Sequence, residues 1–176
     1  MKNSIQILIM SLIVSANVVY GQSIIEKYPN IQSSKDRIDK DTTLRTVTLS
    51  NEEFLEHVDQ GGELVGYYRD SILVKVNVVL YYTHGVDRVK YYVTDGKLFL
   101  MEETFDMYPY NEDLNEFDYS KTERNFHGQY VFKDYKLIDQ ISTGHNRFED
   151  DTIDIKQTVL SEIHFYMDMI SRKNAL

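Results

Sequence analysis

Five histidines are the residues in this sequence best suited to metal binding or acid–base chemistry, and they lie far apart. No two have the His-x-x-x-His or His-Glu-x-x-His spacing that places two imidazoles on one helix face for zinc. His145 is the best ligand candidate, because three carboxylates follow it at positions 149–151. Carboxylates at such a place more often belong to a polar loop that leads into a helix N-terminus. The five are His57, His84, His127, His145 and His164.

The acidic stretch 112–118 is a second candidate, because calcium takes clustered carboxylate oxygens. It lacks the Asp-x-Asp-x-Asp-Gly spacing with a final Glu, and its aromatic neighbours fit a long loop over the sheet edge. The chain also lacks cysteine, a Gly-rich phosphate loop, a Gly-x-Ser-x-Gly elbow and a kinase signature. Glu102 and Glu103 are neighbours on a predicted strand and point to opposite faces, which disfavours an acid–base pair. We therefore assign no catalytic residue, no metal site and no cofactor.

Composition and the first residues predict an exported domain. Of 176 residues, 42 % are hydrophobic, and the formal net charge of −9 disfavours binding to a nucleic-acid backbone. Residues 1–21 combine Lys2, an apolar stretch and a small residue before Gln22, as in a secretory signal peptide. The apolar stretch has roughly 15 residues, fewer than the ~20 that span a bilayer. We expect cleavage before Gln22, a periplasmic or extracellular location and no membrane-spanning segment after cleavage; the alternative is an uncleaved membrane anchor.

The mature chain is expected to consist of an arm and one domain. Residues 22–43 are polar and mixed in charge without a sustained period, which predicts a linker or weakly docked arm. A single α+β domain is expected over 44–172. It begins with a short edge strand, after which Ser50 and Glu53 form a capping box for a helix over 51–59.

An antiparallel sheet is the main prediction for residues 63–142. Between 72 and 82 every even position is apolar, the alternation typical of a strand with one buried face. Because Gly and Asp accept positive φ, His84-Gly85 and Asp95-Gly96 are predicted as two-residue hairpin turns. Further turns are predicted at Asp70-Ser71 and near Asp134-Tyr135.

The first two turns define a strand register. Closing the first turn places Leu80 opposite Val89. Closing the second places Val93 opposite Leu98, on the same apolar face, and a slip of one residue in either hairpin would destroy that agreement. The shared face is the predicted core.

A short motif recurs at these turns, in the stretches 67–70, 91–98 and 130–137. It resembles the Tyr-Tyr-x-x-Gly-Lys-Leu pattern of membrane-occupation-type (MORN) repeats. The spacing departs from that family, and Gly96 is the only one of its turn glycines present. We interpret the motif as recurring hairpin chemistry.

A C-terminal helix completes the predicted fold. Residues 152–171 are amphipathic, with Asp150 or Asp151 at the N-terminal end. The predicted class is α+β: an antiparallel β-meander of about five to six strands, with this helix packed across one face and the short N-terminal helix beside it. The apolar stripe comprises Val159, Ile163, Tyr166, Met167 and Ile170.

The reverse face of the sheet is the candidate ligand surface, because aromatic and adaptable side chains collect there among scattered polar groups. The alternative is that the N-terminal arm or the 107–122 loop covers this face and makes it a second small core. The residues assigned to the ligand surface are Tyr68, Tyr81, Arg88, Tyr92, Phe99, Met101 and His127.

The functional hypothesis is a non-enzymatic binding or structural protein. Its expected partner is a protein or glycan of the cell envelope or outside the cell, recognised through the aromatic face or the acidic loop. The alternative is a small cell-envelope hydrolase or metal-dependent enzyme that uses His145, Asp150 and Asp151, with or without His127. A third hypothesis is a purely structural envelope component tied to a neighbour by its arm. The sequence leaves the oligomeric state open.

Overall fold

The computed structural model describes residues 23–54, 59–145, 147–150 and 152–175. Its main element is one antiparallel sheet of seven strands, which confirms the predicted α+β meander and exceeds the predicted strand count. The described residues form nine strands, seven in this sheet and two in a separate ribbon. They are β1 (Arg45–Leu49), β2 (Gly62–Arg69), β3 (Ile72–Tyr82), β4 (Gly85–Thr94), β5 (Lys97–Met107), β6 (Tyr110–Asn111), β7 (Glu116–Phe117), β8 (Glu123–Lys133) and β9 (Lys136–Gly144). The sheet order is β1-β2-β3-β4-β5-β8-β9, whereas β6 and β7 pair only with each other.

Helices lie on both faces of the sheet. A 3-10 turn at Ile24–Lys27 and α1 (Pro29–Asp39) pack on one face. The short α2 (Asn51–Phe54) and the long α3 (Ile155–Asn174) pack on the other. The molecule therefore has three layers and two apolar cores.

The helix α3 covers the predicted core face. It is capped by Asp154, whose side chain accepts a hydrogen bond from the N–H of Gln157 at 3.0 Å, in place of the predicted Asp150 or Asp151. The helix lies close to β2, because a Cβ at Gly66 would lie 2.6 Å from Cγ2 of Ile170. The buried residues of the helix match the predicted stripe: Val159, Ile163, Tyr166 and Ile170.

The described part of the predicted linker or weakly docked arm, residues 23–43, packs against the sheet. It is helical over α1, and Ile24, Ile25 and Ile38 are buried on the second sheet face. Ile24, Tyr28, Ile31 and Ile38 lie at helical spacing on the side that packs against the sheet, but these few apolar residues stand among many polar ones, so the prediction of a linker missed the helix. Of the two arrangements left open by the sequence, the covered reverse face is the one observed.

Three of the predicted turns are confirmed. Each hairpin closes with two residues between the paired strand ends, and the first residue is an aspartate with positive φ. The repeated motif therefore corresponds to a repeated tight turn. The turns are Asp70-Ser71, Asp95-Gly96 and Asp134-Tyr135.

The predicted register between β3 and β4 is wrong by two residues. Tyr82 lies opposite Gly85, so the turn consists of Thr83 and His84, and Leu80 lies opposite Asp87. A shift of two residues preserves the face of every side chain. The predicted core face of these strands is therefore still correct.

Two bulges change which side chains share a face. The extra residues are Val74 in β3 and Phe99 in β5. As a result Tyr68 and Met101, predicted on the reverse face, lie in the core beneath α3. Alternating hydrophobicity does not reveal a single inserted residue, because both faces of these strands carry apolar side chains.

Some predictions fall partly or wholly outside the described residues. The helix predicted over 51–59 begins as expected, with the Glu53 carboxylate accepting from the N–H of Ser50 at 3.2 Å, but positions 55–58 are outside. The segment 1–21 is outside as well. Within the described ranges, no helix combines the length and apolar character needed to cross a membrane.

Candidate functional site

A cleft of about 440 Å³ lies on the α3 side of the sheet, where β4 begins and β5 ends. The start of β8 and the segment that follows β9 complete its lining. Its volume falls within the ordinary range for small-molecule sites. The polar side chains that line the cleft are His84, Asp87, Glu103, Asn125, His145 and Arg147.

Two carboxylates share one face of the sheet in this cleft. Asp87 lies opposite Phe105, and Glu103 lies opposite Val89. The two acids are therefore diagonal neighbours, with Cα atoms roughly 7–8 Å apart. Only 4 % of the Glu103 side chain is exposed. Among the described residues, Oδ1 of Asp87 and Oε2 of Glu103 are buried without a hydrogen-bond partner.

Arg147 provides the positive charge of the cleft. Its Nε lies 3.0 Å from Oε1 of Glu103, and its Nη2 donates to Oε2 of Glu162 at 2.9 Å. The guanidinium also lies over the ring of Phe148, 4.6 Å from the centroid. None of these contacts engages the unpaired oxygens of Asp87 or Glu103.

The pKa values of the two acids are raised. Burial raises the pKa of Glu103 to about 7, opposed by Arg147 and reinforced by the negative charges of Asp87 and Glu162. Burial likewise raises the pKa of Asp87 to about 6, again opposed by Arg147. Burial by itself lowers the pKa of Arg147, but its carboxylate partners outweigh that effect and the net shift is upward. Near neutral pH Glu103 is thus partly protonated, while Arg147 is charged.

The walls of the cleft are aromatic. The ring centroids of His84 and Phe105 are 5.5 Å apart, and those of Tyr82 and Phe105 are 6.3 Å apart. Gly85 permits this arrangement, because a Cβ there would lie 2.7 Å from the Phe105 ring. A mostly apolar cleft with a few convergent polar groups is typical of a ligand site. Further apolar lining comes from Met107 and Phe126.

Four of the seven residues assigned to the ligand surface are buried. Tyr68 and Met101 belong to the core beneath α3. Tyr92 and Phe99 belong to the core beneath α1, with ring centroids 6.1 Å apart. None of these four side chains lies on an open face.

Tyr92 also helps to hold α1 in place. Its hydroxyl donates to Asp39 at the end of α1 at 3.0 Å. The same carboxylate pairs with Lys35 at 2.7 Å and with Lys75 of β3 at 3.1 Å. These contacts give the Tyr92 hydroxyl a structural role.

The buried side chain of Gln129 in β8 holds the start of the N-terminal segment by hydrogen bonds. Its oxygen accepts from the Ser23 hydroxyl at 2.9 Å and from the N–H of Ile24 at 3.1 Å. Its amide nitrogen donates to Glu102 at 3.0 Å. Polar contacts therefore anchor both ends of the N-terminal segment, residues 23–39, that covers the reverse face of the sheet.

Of the other three assigned residues, two lie in one row of the sheet and the third lies apart from them. Arg88 and His127 flank Thr104 in one row across β4, β5 and β8. Arg88 donates to Asp106 at 2.7 Å, and burial lowers the pKa of His127. Tyr81 is exposed near the end of β3. The seven residues therefore do not form one surface.

The residues of the hydrolase or metal alternative are only partly brought together. His145 lines the cleft, and its Nδ1 lies 3.1 Å from Oε1 of Glu149. The carboxylate of Asp150 accepts from the N–H and hydroxyl of Thr152 at 2.8 and 2.7 Å, and Asp151 lies outside the described residues. No group of three histidines or acids suited to a metal occurs in the described part of the chain.

The acidic stretch 112–118 lies in and beside the small β6–β7 ribbon. The ribbon has an aromatic side, on which the rings of Tyr110 and Phe117 lie 5.1 Å apart. The carboxylate of Asp118 accepts from the N–H of Ser120 at 3.0 Å and pairs with Lys121 at 2.9 Å. The Ser120 hydroxyl also donates to this carboxylate, and that hydrogen bond, with Lys121 and the Ser120 N–H, lowers the pKa of Asp118 to about 2.

Sequence reasoning missed the carboxylates and the arginine of the cleft. Asp87 could have been recognised from the sequence, because it is a charged residue on the predicted core face, which it shares with Val89 and Tyr91. Glu103 was not readable in this way, because only the bulge at Phe99 turns it to the α3 side. Arg147 lies in a loop, where no periodicity predicts its direction.

Comparison of the chain with protein-family models, with curated proteins and with solved structures finds no match in any of the three.

Proposed function

We propose that this is a ligand-binding protein whose ligand lies in the cleft beside Asp87 and Glu103. The observation that carries the proposal is the pair of buried carboxylate oxygens without partners among the described residues. A buried polar atom without a partner costs about 1–3 kcal/mol, and stable proteins keep few of them. A ligand that donates hydrogen bonds to these atoms would recover that free energy.

The cleft supports a binding role better than the sheet face assigned from the sequence. The cleft is a concave site lined by aromatic and polar side chains, whereas Tyr92 and Phe99 lie beneath α1. The volume of about 440 Å³ suits a small molecule or one end of a larger ligand, such as a glycan or a peptide.

A ligand-observed NMR screen tests this proposal. The panel contains neutral saccharides, amines and carboxylic acids, each measured with the wild type and with Asn125→Trp, which fills the cleft with an indole. Lys136→Trp, at an exposed position of β9, is the matched control. We expect signals from at least one class that survive in the control and disappear in Asn125→Trp. Binding of no panel member, or binding that is unaffected by Asn125→Trp, would contradict the proposal.

A second candidate function is acid–base hydrolysis. It is favoured by the raised pKa values of Asp87 and Glu103, about 6 and about 7, which suit groups that exchange protons near neutral pH. Release of nitrophenol from nitrophenyl glycosides and esters is the assay. Turnover by the wild type that is lost in both Asp87→Asn and Glu103→Gln would support an enzyme, and absence of turnover with intact ligand binding would support the binding role alone.

We also propose that the protein is exported, on the basis of the signal-like pattern of residues 1–21. The expected product is a chain that begins at Gln22 and is recovered outside the cytoplasm of an expressing bacterium. Intact-mass measurement of the fractionated protein checks this. A chain that retains residues 1–21 in the cytoplasm would contradict export.

A further inference from the structure

The charges around the cleft do not balance. Three carboxylates, Asp87, Glu103 and Glu162, surround a single guanidinium, that of Arg147. Arg147 is engaged by Glu162 and by Oε1 of Glu103. With all three acids ionised, the group therefore carries an excess of negative charge.

The neighbouring cations are committed elsewhere. Arg88 donates to Oδ2 of Asp106 at 2.7 Å, and Arg124 forms an ion pair with Oδ1 of the same carboxylate. Arg88 and Asp106 directly follow the cleft residues Asp87 and Phe105 in their strands, so this ion-paired group lies on the opposite face of the sheet. Neither arginine forms an ion pair with Asp87 or Glu103. When ionised, both carboxylates are acceptors only, so their two unpaired oxygens then require a donor.

The shape and lining of the cleft restrict what that donor is. Calcium and magnesium take six or more oxygen ligands, which two carboxylates among aromatic rings do not supply. The described residues also hold no group of three histidines or acids suited to a metal. Neutral hydroxyl groups would satisfy the hydrogen bonds but not the charge. The aromatic side chains of Tyr82, Phe105 and Phe126 line the cleft and favour a cation with an apolar body, because an aromatic ring attracts positive charge and packs against apolar groups.

We propose that the ligand of this cleft is an organic ammonium ion, with its charged nitrogen near Asp87 and Glu103 and its apolar body against the aromatic walls. This inference rests on the proposed function and names its ligand class. The two acids are diagonal neighbours on one face of the sheet, an arrangement in which one protonated amine can donate a hydrogen bond to each carboxylate.

Isothermal titration calorimetry at pH 8 with benzylamine and its neutral analogue benzyl alcohol tests the proposal. Both carboxylates are mostly ionised at that pH, and the two probes share the same ring. We expect benzylamine to bind at least about tenfold more tightly than benzyl alcohol, because the alcohol leaves the charge uncompensated. We expect Asp87→Asn and Glu103→Gln each to weaken benzylamine binding by about tenfold or more.

Asp113→Asn and Glu112→Gln are the matched controls, since each removes one exposed carboxylate of the loop between β6 and β7. Both should bind benzylamine like the wild type, and circular dichroism should show that all four variants are folded. If both probes bind with equal affinity and neither binds to Asn125→Trp, the ammonium assignment is wrong. The proposed function then still stands, because the ligand occupies the cleft. Benzylamine binding that is unchanged in Asp87→Asn and Glu103→Gln would also overturn it. If neither probe binds and no member of the NMR panel binds, both proposals fail.

Discussion

Arg147 neutralises only one side of the buried Glu103 carboxylate. Its Nε lies 3.0 Å from Oε1, while Oε2 has no partner among the described residues. The ion pair and the unpaired oxygen belong to the same side chain, and that side chain lines the cleft. The consequences for stability and for binding are therefore measurable with the same substitutions.

Replacing Glu103 should change how stability depends on pH. Its pKa is about 7 in the folded protein and about 4.5 when unfolded, so the folded state binds its proton more tightly. The resulting stabilisation is complete below pH 4.5 and is lost as the pH rises through 7, a change of up to about 3 kcal/mol. Urea unfolding from pH 4 to 8 should therefore show a smaller decline for Glu103→Gln than for the wild type. Glu112→Gln is the control, and parallel curves for all three proteins would refute the assignment.

Removing the charge of Arg147 should destabilise the fold. Arg147→Met leaves Glu103 and Glu162 without their shared partner, and breaking a buried ion pair typically costs about 3–5 kcal/mol. Because Arg147 is partly exposed, we expect a value at the lower end, measured by urea unfolding at pH 8. Adding Glu103→Gln to Arg147→Met should restore part of the loss, since it removes one uncompensated charge. A double variant less stable than Arg147→Met would contradict this account.

The packing of the N-terminal segment, residues 23–39, on the reverse face should depend on its buried isoleucines. Ile38→Ala removes a side chain that is only 5 % exposed, and we expect a loss of about 2–4 kcal/mol. Hydrogen exchange should also become faster across α1. Ile72→Ala, at a position 57 % exposed, is the matched control and should stay within about 0.5 kcal/mol of the wild type. Equal effects of the two substitutions would indicate that α1 does not pack on the sheet in solution.

The approach of α3 to β2 should depend on the absence of a side chain at position 66. Gly66→Ala places a Cβ 2.6 Å from Ile170 Cγ2, so the helix or the Ile170 rotamer must move, at a cost of about 1–3 kcal/mol. In an Ile170→Ala background the same change should cost much less. Thermal unfolding of the four proteins in this double-mutant cycle measures the coupling. If the effects of the two substitutions add, the contact between positions 66 and 170 is not the cause of the destabilisation.

The sequence alone determines the elements with a strong local signal. Asp95-Gly96 and the other Asp-led turns specify tight hairpins through backbone conformation, and the apolar stripe of α3 specifies a helix over one sheet face. Even the wrong register at Thr83-His84 preserves the core face, because the error is two residues. These features depend on neighbours in the chain, which pattern analysis can read.

Only the tertiary structure decides which side chains meet in the cleft. Whether Glu103 faces α3 depends on the bulge at Phe99, and whether Arg147 reaches it depends on the path of the chain after β9. The covering of Tyr92 likewise depends on isoleucines far away in the sequence, which gain stability only by burial against the assembled sheet. A period in the sequence shows which face of an element is buried, but not which distant segment packs against it. The physical reason is that contacts between distant segments form when whole helices and strands pack together, and local backbone preferences do not determine them.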